Sequence, residues 1–113
     1  MKLMVAGSRS ISDFDLTPYI PEEVTLIISG GARGIDRLAE EYADAHGLSK
    51  LILRPQYSRY GKAAPLRRNV QALEAADRVL VIWDGASRGT AYTIKQAEAR
   101  GKPITVIPYS KNR

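Results

Sequence analysis

Five apolar runs rich in β-forming residues recur along the chain, at residues 2–6, 24–28, 50–53, 78–83 and 104–107. Most are unbroken rather than alternating, the pattern of strands covered on both faces. Helical spacing fills most of the gaps. Ile35, Leu38, Ala39, Tyr42 and Ala43 form one apolar stripe, and Gly47 marks its end. Leu66, Val70 and Leu73 form a second that ends near Ala76, and Ala91, Ile94 and Ala97 a third that Gly101 and Pro103 stop. Between the first two runs the periodicity is weak. Thr17-Pro18 reads there as an N-cap followed by proline at the first helical position, which predicts a short helix. Strand alternating with helix predicts one α/β domain across residues 1–113, a Rossmann-like three-layer fold with a five-stranded parallel sheet flanked by helices. Its crossovers should be right-handed. The polar tail, residues 110–113, is expected to fray.

In open α/β sheets ligands lie beyond the carboxyl ends of the strands, and three of those ends carry unusual sequence. The first run ends in Gly7-Ser8-Arg9. The second ends in Ser29-Gly30-Gly31-Ala32-Arg33-Gly34, followed by Ile35-Asp36 and a helical pattern. The fourth ends in Trp83-Asp84-Gly85-Ala86-Ser87-Arg88-Gly89-Thr90. Each loop joins small residues to a hydroxyl and an arginine. Exposed N–H groups at a helix start cradle a phosphate, hydroxyls donate to it, and guanidinium neutralises it. Small residues also close tight strand-to-helix turns, so one such loop alone is weak evidence; three at one sheet edge predict a phosphate site.

Other residues carry paired readings. In residues 57–69, tyrosines interleaved with arginine and lysine either stack a base and hold phosphates or pin the loop to the domain. Asp36 complements the helix dipole or accepts a ribose hydroxyl; Asp84 is its counterpart after the fourth run. These two are the carboxylates available for catalysis near the strand ends. Trp83 is core or a base-stacking platform. His46, beside Gly47, reads as a capping or surface group.

Charge adds to the anion reading. The 113-residue chain carries a formal net charge of +5, and 11 of its 17 basic residues are arginine, the side chain suited to bidentate phosphate contacts. There is no cysteine and a single histidine, so disulfides, thiol nucleophiles and His/Cys metal clusters are excluded. No metal site is predicted, although a phosphate-bound Mg²⁺ needs few protein ligands. No apolar run reaches membrane-span length, and the N-terminus reads as a strand rather than a signal peptide, so the expected location is the cytoplasm.

Taken in order, Gly7-Ser8-Arg9, Ser29 to Asp36, Tyr60-Gly61-Lys62-Ala63-Ala64, Arg68-Asn69 and Ser87-Arg88-Gly89-Thr90 resemble the YspA-like branch of the SLOG superfamily, compact Rossmann-like domains of bacteria and phages. The resemblance spans nearly the whole chain. Residues 28–36 also resemble the Rossmann core of DNA-processing protein A, which binds single-stranded DNA; this chain has only that minimal core. The Lonely Guy phosphoribohydrolases are a further relative. Their Gly-Thr motif is followed by a catalytic glutamate, and here Gly89-Thr90 is followed by Thr93 at that position. That carboxylate would support an oxocarbenium-like state. The resemblance implies a nucleotide-derived ligand such as ADP-ribose or a nucleoside monophosphate, and a homodimer. Binding of that ligand is the leading expectation. The ligand-binding set is Gly7, Ser8, Arg9, Ser29, Gly30, Gly31, Arg33, Gly34, Asp36, Arg68, Asn69, Ser87, Arg88, Gly89 and Thr90. A nucleotide hydrolase using Asp36 or Asp84, and a single-stranded nucleic acid binder, are the alternatives.

Overall fold

Alternate side chains of the first strand, β1 (Lys2–Gly7), enter two different cores: Leu3 and Val5 one, Met4 the other. The same alternation divides Ile27 from Ile28 in β2 (Leu26–Ser29), and Leu80 and Ile82 from Val79 and Val81 in β4 (Arg78–Trp83). The central strands are therefore covered on both faces, and their unbroken apolar sequence follows from that. With β3 (Ser49–Ile52) and β5 (Ile104–Pro108) they form one parallel sheet in the order β3-β2-β1-β4-β5. The computed structural model describes residues 1–110; of the tail expected to fray, residues 111–113 lie outside the described residues.

Helix α1 (Ile35–Ala45) covers one face through Ile35, Ala39 and Ala43. Helices α3 (Ala64–Ala75) and α4 (Arg88–Ala99) cover the other through Ala72, Leu73 and Ala97. The fold is thus the predicted Rossmann-like three-layer α/β arrangement. Full burial of each large aliphatic side chain is worth roughly 1.5–3 kcal/mol. Ile35 matters beyond that, because it packs over Gly7 and so fixes the start of α1 against the end of β1.

Several details differ from expectation. The unbroken-run argument fails at the edges, where most residues of β3 and β5 are exposed. An edge strand lacks a neighbour on one side and is less fully covered. Between β1 and β2 the predicted helix is one 3₁₀ turn, Thr17–Tyr19. Leu16, not Thr17, holds the N-cap position, and Asp15 before it accepts the Thr17 N–H at 3.0 Å through Oδ1. The rest of that connection is irregular and is anchored in the core by Ile11, Leu16, Ile20 and Val24. In α3 the stripe is shifted, for Leu66 is exposed while Ala64, Ala72 and Leu73 are buried. In α4 the buried positions are Thr90, Thr93 and Ala97. The basic segment after β3 contains a one-turn helix, α2 (Tyr57–Tyr60), and a 3₁₀ turn, Gly61–Ala63. His46 closes α1 as its C-cap, exposed and stacked on Tyr42 at 3.9 Å. Among the described residues no helix is long and apolar enough to cross a membrane.

Candidate functional site

The strand order reverses between β1 and β4: β1 leads on to β2 on one side, β4 to β5 on the other. The connections that follow those two strands pack on opposite faces of the sheet, and a crevice opens between them. Here it is a cleft of about 450 Å³ walled by the ends of β1 and β4 and by residues of α1, α3 and α4. That volume suits a small ligand.

The β1 and β4 loops are tied to each other. Gly7 lets β1 approach Ile82 and Ile35 so closely that a Cβ would meet both. The buried Ser8 donates its N–H to Ile82 O at 3.1 Å, and its Oγ accepts the Asp84 N–H at 3.1 Å. Asp84 Oδ1 accepts the Ala86 and Ser87 N–H groups, each at 2.9 Å, while Oδ2 takes the Ser10 hydroxyl at 3.3 Å. Those backbone donors hold the Asp84 carboxyl below the usual carboxylate range. Asp84 therefore organises the loop, and it has little acceptor capacity left. Ser87 caps α4, its Oγ accepting the Thr90 N–H at 3.4 Å and lying 3.0 Å from Thr90 Oγ1. The Trp83 indole donates to Ser87 O at 3.1 Å and packs on the core, which favours its structural reading. Past this cap, Arg88 and Gly89 open α4, where N–H groups have no acceptor within a helix.

The glycine-rich loop behaves differently from its expected role. Ser29, Gly30, Gly31 and Gly34 do not line the cleft, whereas Ala32, Arg33 and Asp36 do. Ser29 is buried and donates to Glu40 at 2.9 Å, while its Oγ accepts the Gly31 N–H at 3.2 Å. The Ala32 N–H is taken by Asp36 Oδ2 at 3.2 Å. These donors face their own loop. The glycines make room for protein: a Cβ on Gly30 would lie 2.9 Å from Asp36 Oδ2, and one on Gly34 would lie 2.6 Å from the Ser8 and Arg9 carbonyls. Gly34 also has φ 77°, a conformation that strains any side chain.

Asp36 and Arg68 form the floor. Asp36 is only 8% exposed. Burial pushes its carboxyl above the usual range, against the Ala32 N–H and the charge of Arg68. Arg68 is half-buried and donates to Gly30 O and, at 2.9 Å, to Asn69 Oδ1. Burial lowers its guanidinium pKa, with Asp36 opposing. Arg9, Arg33 and Arg88 stand on the rim, exposed. Among the described residues none of these four arginines forms an ion pair.

Eleven of the sequence-derived positions thus meet at one cleft: Gly7, Ser8, Arg9, Arg33, Asp36, Arg68, Asn69, Ser87, Arg88, Gly89 and Thr90. Asp84 joins them. Ala6, Ser10, Ala32 and Thr93 also line it and were not in the binding set. Ser10 was signalled by its place beside Ser8-Arg9. Thr93 lies one turn after Thr90 on the same helix face, and its hydroxyl donates to Gly89 O at 3.1 Å. The position that the resemblance reserves for a glutamate faces the cleft with a hydroxyl already engaged. Outside the cleft, Tyr57 is 62% exposed and the Tyr60 ring is flanked by the Arg59 and Arg67 guanidiniums at 5.3 and 5.2 Å. Among the described residues no three His, Cys, Asp or Glu side chains are grouped to hold a metal.

No family model matches the sequence, and no solved structure matches it. The chain is similar to the Gene 61 protein of Mycobacterium phage D29, with 29% identity over 85 residues, 70% of this chain and 68% of that protein.

Proposed function

We propose that this domain belongs with the YspA-like SLOG domains and binds the phosphate end of a nucleotide-derived ligand, of the nucleoside-monophosphate or ADP-ribose kind, as a sensor. The observation that carries the reading is the set of four guanidiniums, Arg9, Arg33, Arg68 and Arg88, around one cleft with no ion-pair partner among the described residues. With four guanidiniums against the two carboxylates Asp36 and Asp84, the cleft keeps a positive excess that favours an incoming anion. The first turn of α4 adds N–H donors at the positive end of its dipole. The hydrolase reading has less support, because Thr93 stands where the glutamate would be and Asp84 is engaged by its own loop.

Thermal unfolding in the presence of AMP, ADP-ribose and oligo-dT tests the proposal. A ligand at a hundred times its Kd raises stability by about 2.7 kcal/mol. Stabilisation by a mononucleotide, lost in Arg88→Ala, is the expected result. Stabilisation by oligo-dT alone, falling steeply with salt, would move the function to the exposed basic segment around Tyr57, Arg59 and Arg67.

A further inference from the structure

The cleft is rich in donors. Its four arginines only donate, and so do the N–H groups that open α4. Acceptors are few. Of the two carboxylates on its walls, Asp84 already accepts from Ala86, Ser87 and Ser10. Asp36 differs. Its Oδ2 accepts the Ala32 N–H at 3.2 Å, the Gly30 N–H lies near enough to act on it, and among the described residues no side chain donates to it. Arg68, the cation whose charge it feels, is turned to Gly30 O and Asn69 instead. A carboxylate has about four acceptor positions, so a nine-tenths-buried one served by backbone alone leaves capacity facing the cleft.

We infer that Asp36 is the specificity-determining residue of this cleft, accepting hydrogen bonds from hydroxyl groups on the sugar of a phosphorylated ligand. The inference rests on the anion-binding reading above and narrows it. A bare anion meets the arginines but gives Asp36 nothing, and brings a like charge towards it. A sugar phosphate satisfies both: the anion lies among guanidiniums and the hydroxyls meet the buried acceptor. Rejection of an analogue lacking the hydroxyl follows, because the acceptor then loses water and gains no donor.

Calorimetric titration of the full chain with inorganic phosphate, AMP and 2′,3′-dideoxy-AMP tests this, since the two nucleotides differ only in the sugar hydroxyls. The wild-type protein should bind AMP at least about tenfold more tightly than the dideoxy analogue. Asp36→Asn keeps the size of the side chain and an acceptor for the Ala32 N–H. It should bring the two nucleotides to within about twofold of each other. The wild-type comparison needs no variant, so misfolding of Asp36→Asn would not rescue the inference. Equal wild-type affinities, or a preference that survives Asp36→Asn, overturn it. Phosphate bound with no such preference leaves the anion cleft standing and removes the role of Asp36. No binding of any of the three removes both.

Discussion

The two glycine-bearing loops at the sheet edge do opposite things. In the loop after β2, glycines admit protein atoms: the Arg68 guanidinium beside Gly30, the side chain of Arg54 beside Gly31, the Ser8 and Arg9 carbonyls beside Gly34. In the loop after β4 and the first turn of α4, a Cβ on Gly85 or Gly89 would meet nothing within 4 Å among the described residues. The first loop is a packed joint, and the second is open backbone at the mouth of the cleft. A glycine-rich turn is thus no guide by itself to where a ligand approaches. The deciding quantity is the space above the glycine, which depends on segments far away in sequence. Arg68 reaches Gly30 from 38 residues on.

The sharpest way to break this comparison is Gly34→Val. Positive φ and a collision with two carbonyls should together cost roughly 3 kcal/mol, read as a lowered denaturant midpoint; a change below 1 kcal/mol would show that the joint is not packed. Next in size is Arg88→Ala, on the open loop. It should weaken phosphate or AMP binding about tenfold yet leave stability within about 0.5 kcal/mol. Comparable losses in both would mean that the arginine serves the fold. A third measurement follows the pH dependence of stability. The folded-state pKa of Asp36 is raised, so the folded protein binds the proton more tightly than the unfolded chain. Stability therefore falls as pH rises from the ordinary carboxylate value of about 4 to the raised folded value, and levels off above it. Asp36→Asn should remove that decline. Asp84 has the opposite sign, with its lowered pKa favouring the fold above about pH 4; being exposed, it should matter little. The smallest effect is expected for Gly89→Ala. Alanine in the first turn of α4 should add no more than about 0.5 kcal/mol, and a loss of more than 1 kcal/mol would contradict open space at that position.

Much of the fold was legible because β1, β2 and β4 are buried on both faces and announce themselves as unbroken apolar runs. The edges and helix faces were less so. Leu66 belongs to a good helical stripe but faces outward, since α3 uses Ala64, Ala72 and Leu73 against the sheet. Helix α2 was hidden by its four-residue length and basic, aromatic sequence. At the cleft, residue types and their order along the chain identified which loops converge. They did not reveal which polar groups would be satisfied internally. Ser29 looks like a ligand donor until Glu40, eleven residues later, accepts its hydrogen bond. Asp36 and Asp84 look alike in sequence, and their pKa values move in opposite directions because one is buried and the other is ringed by N–H groups.

The irregular connection from β1 to β2 bears on how the cleft comes apart. It has few backbone hydrogen bonds of its own, such as Ile11 N–H to Ser8 O and Tyr19 N–H to Leu16 O, and beyond the Ser8 and Ser10 bonds to Ile82 and Asp84 it holds to the sheet through four apolar anchors. Segments secured by side chains rather than by a ladder are among the first to open in native-state amide exchange. This one begins with Ser8, Arg9 and Ser10, so its excursions would unlatch one wall of the cleft while β4 and α4 stay closed. Amides of residues 9–23 should exchange faster than those of the β1 and β4 ladder, and a bound anion bridging Arg9 and Arg88 would slow them selectively. The wall would then be a clasp, drawn shut by the ligand it encloses.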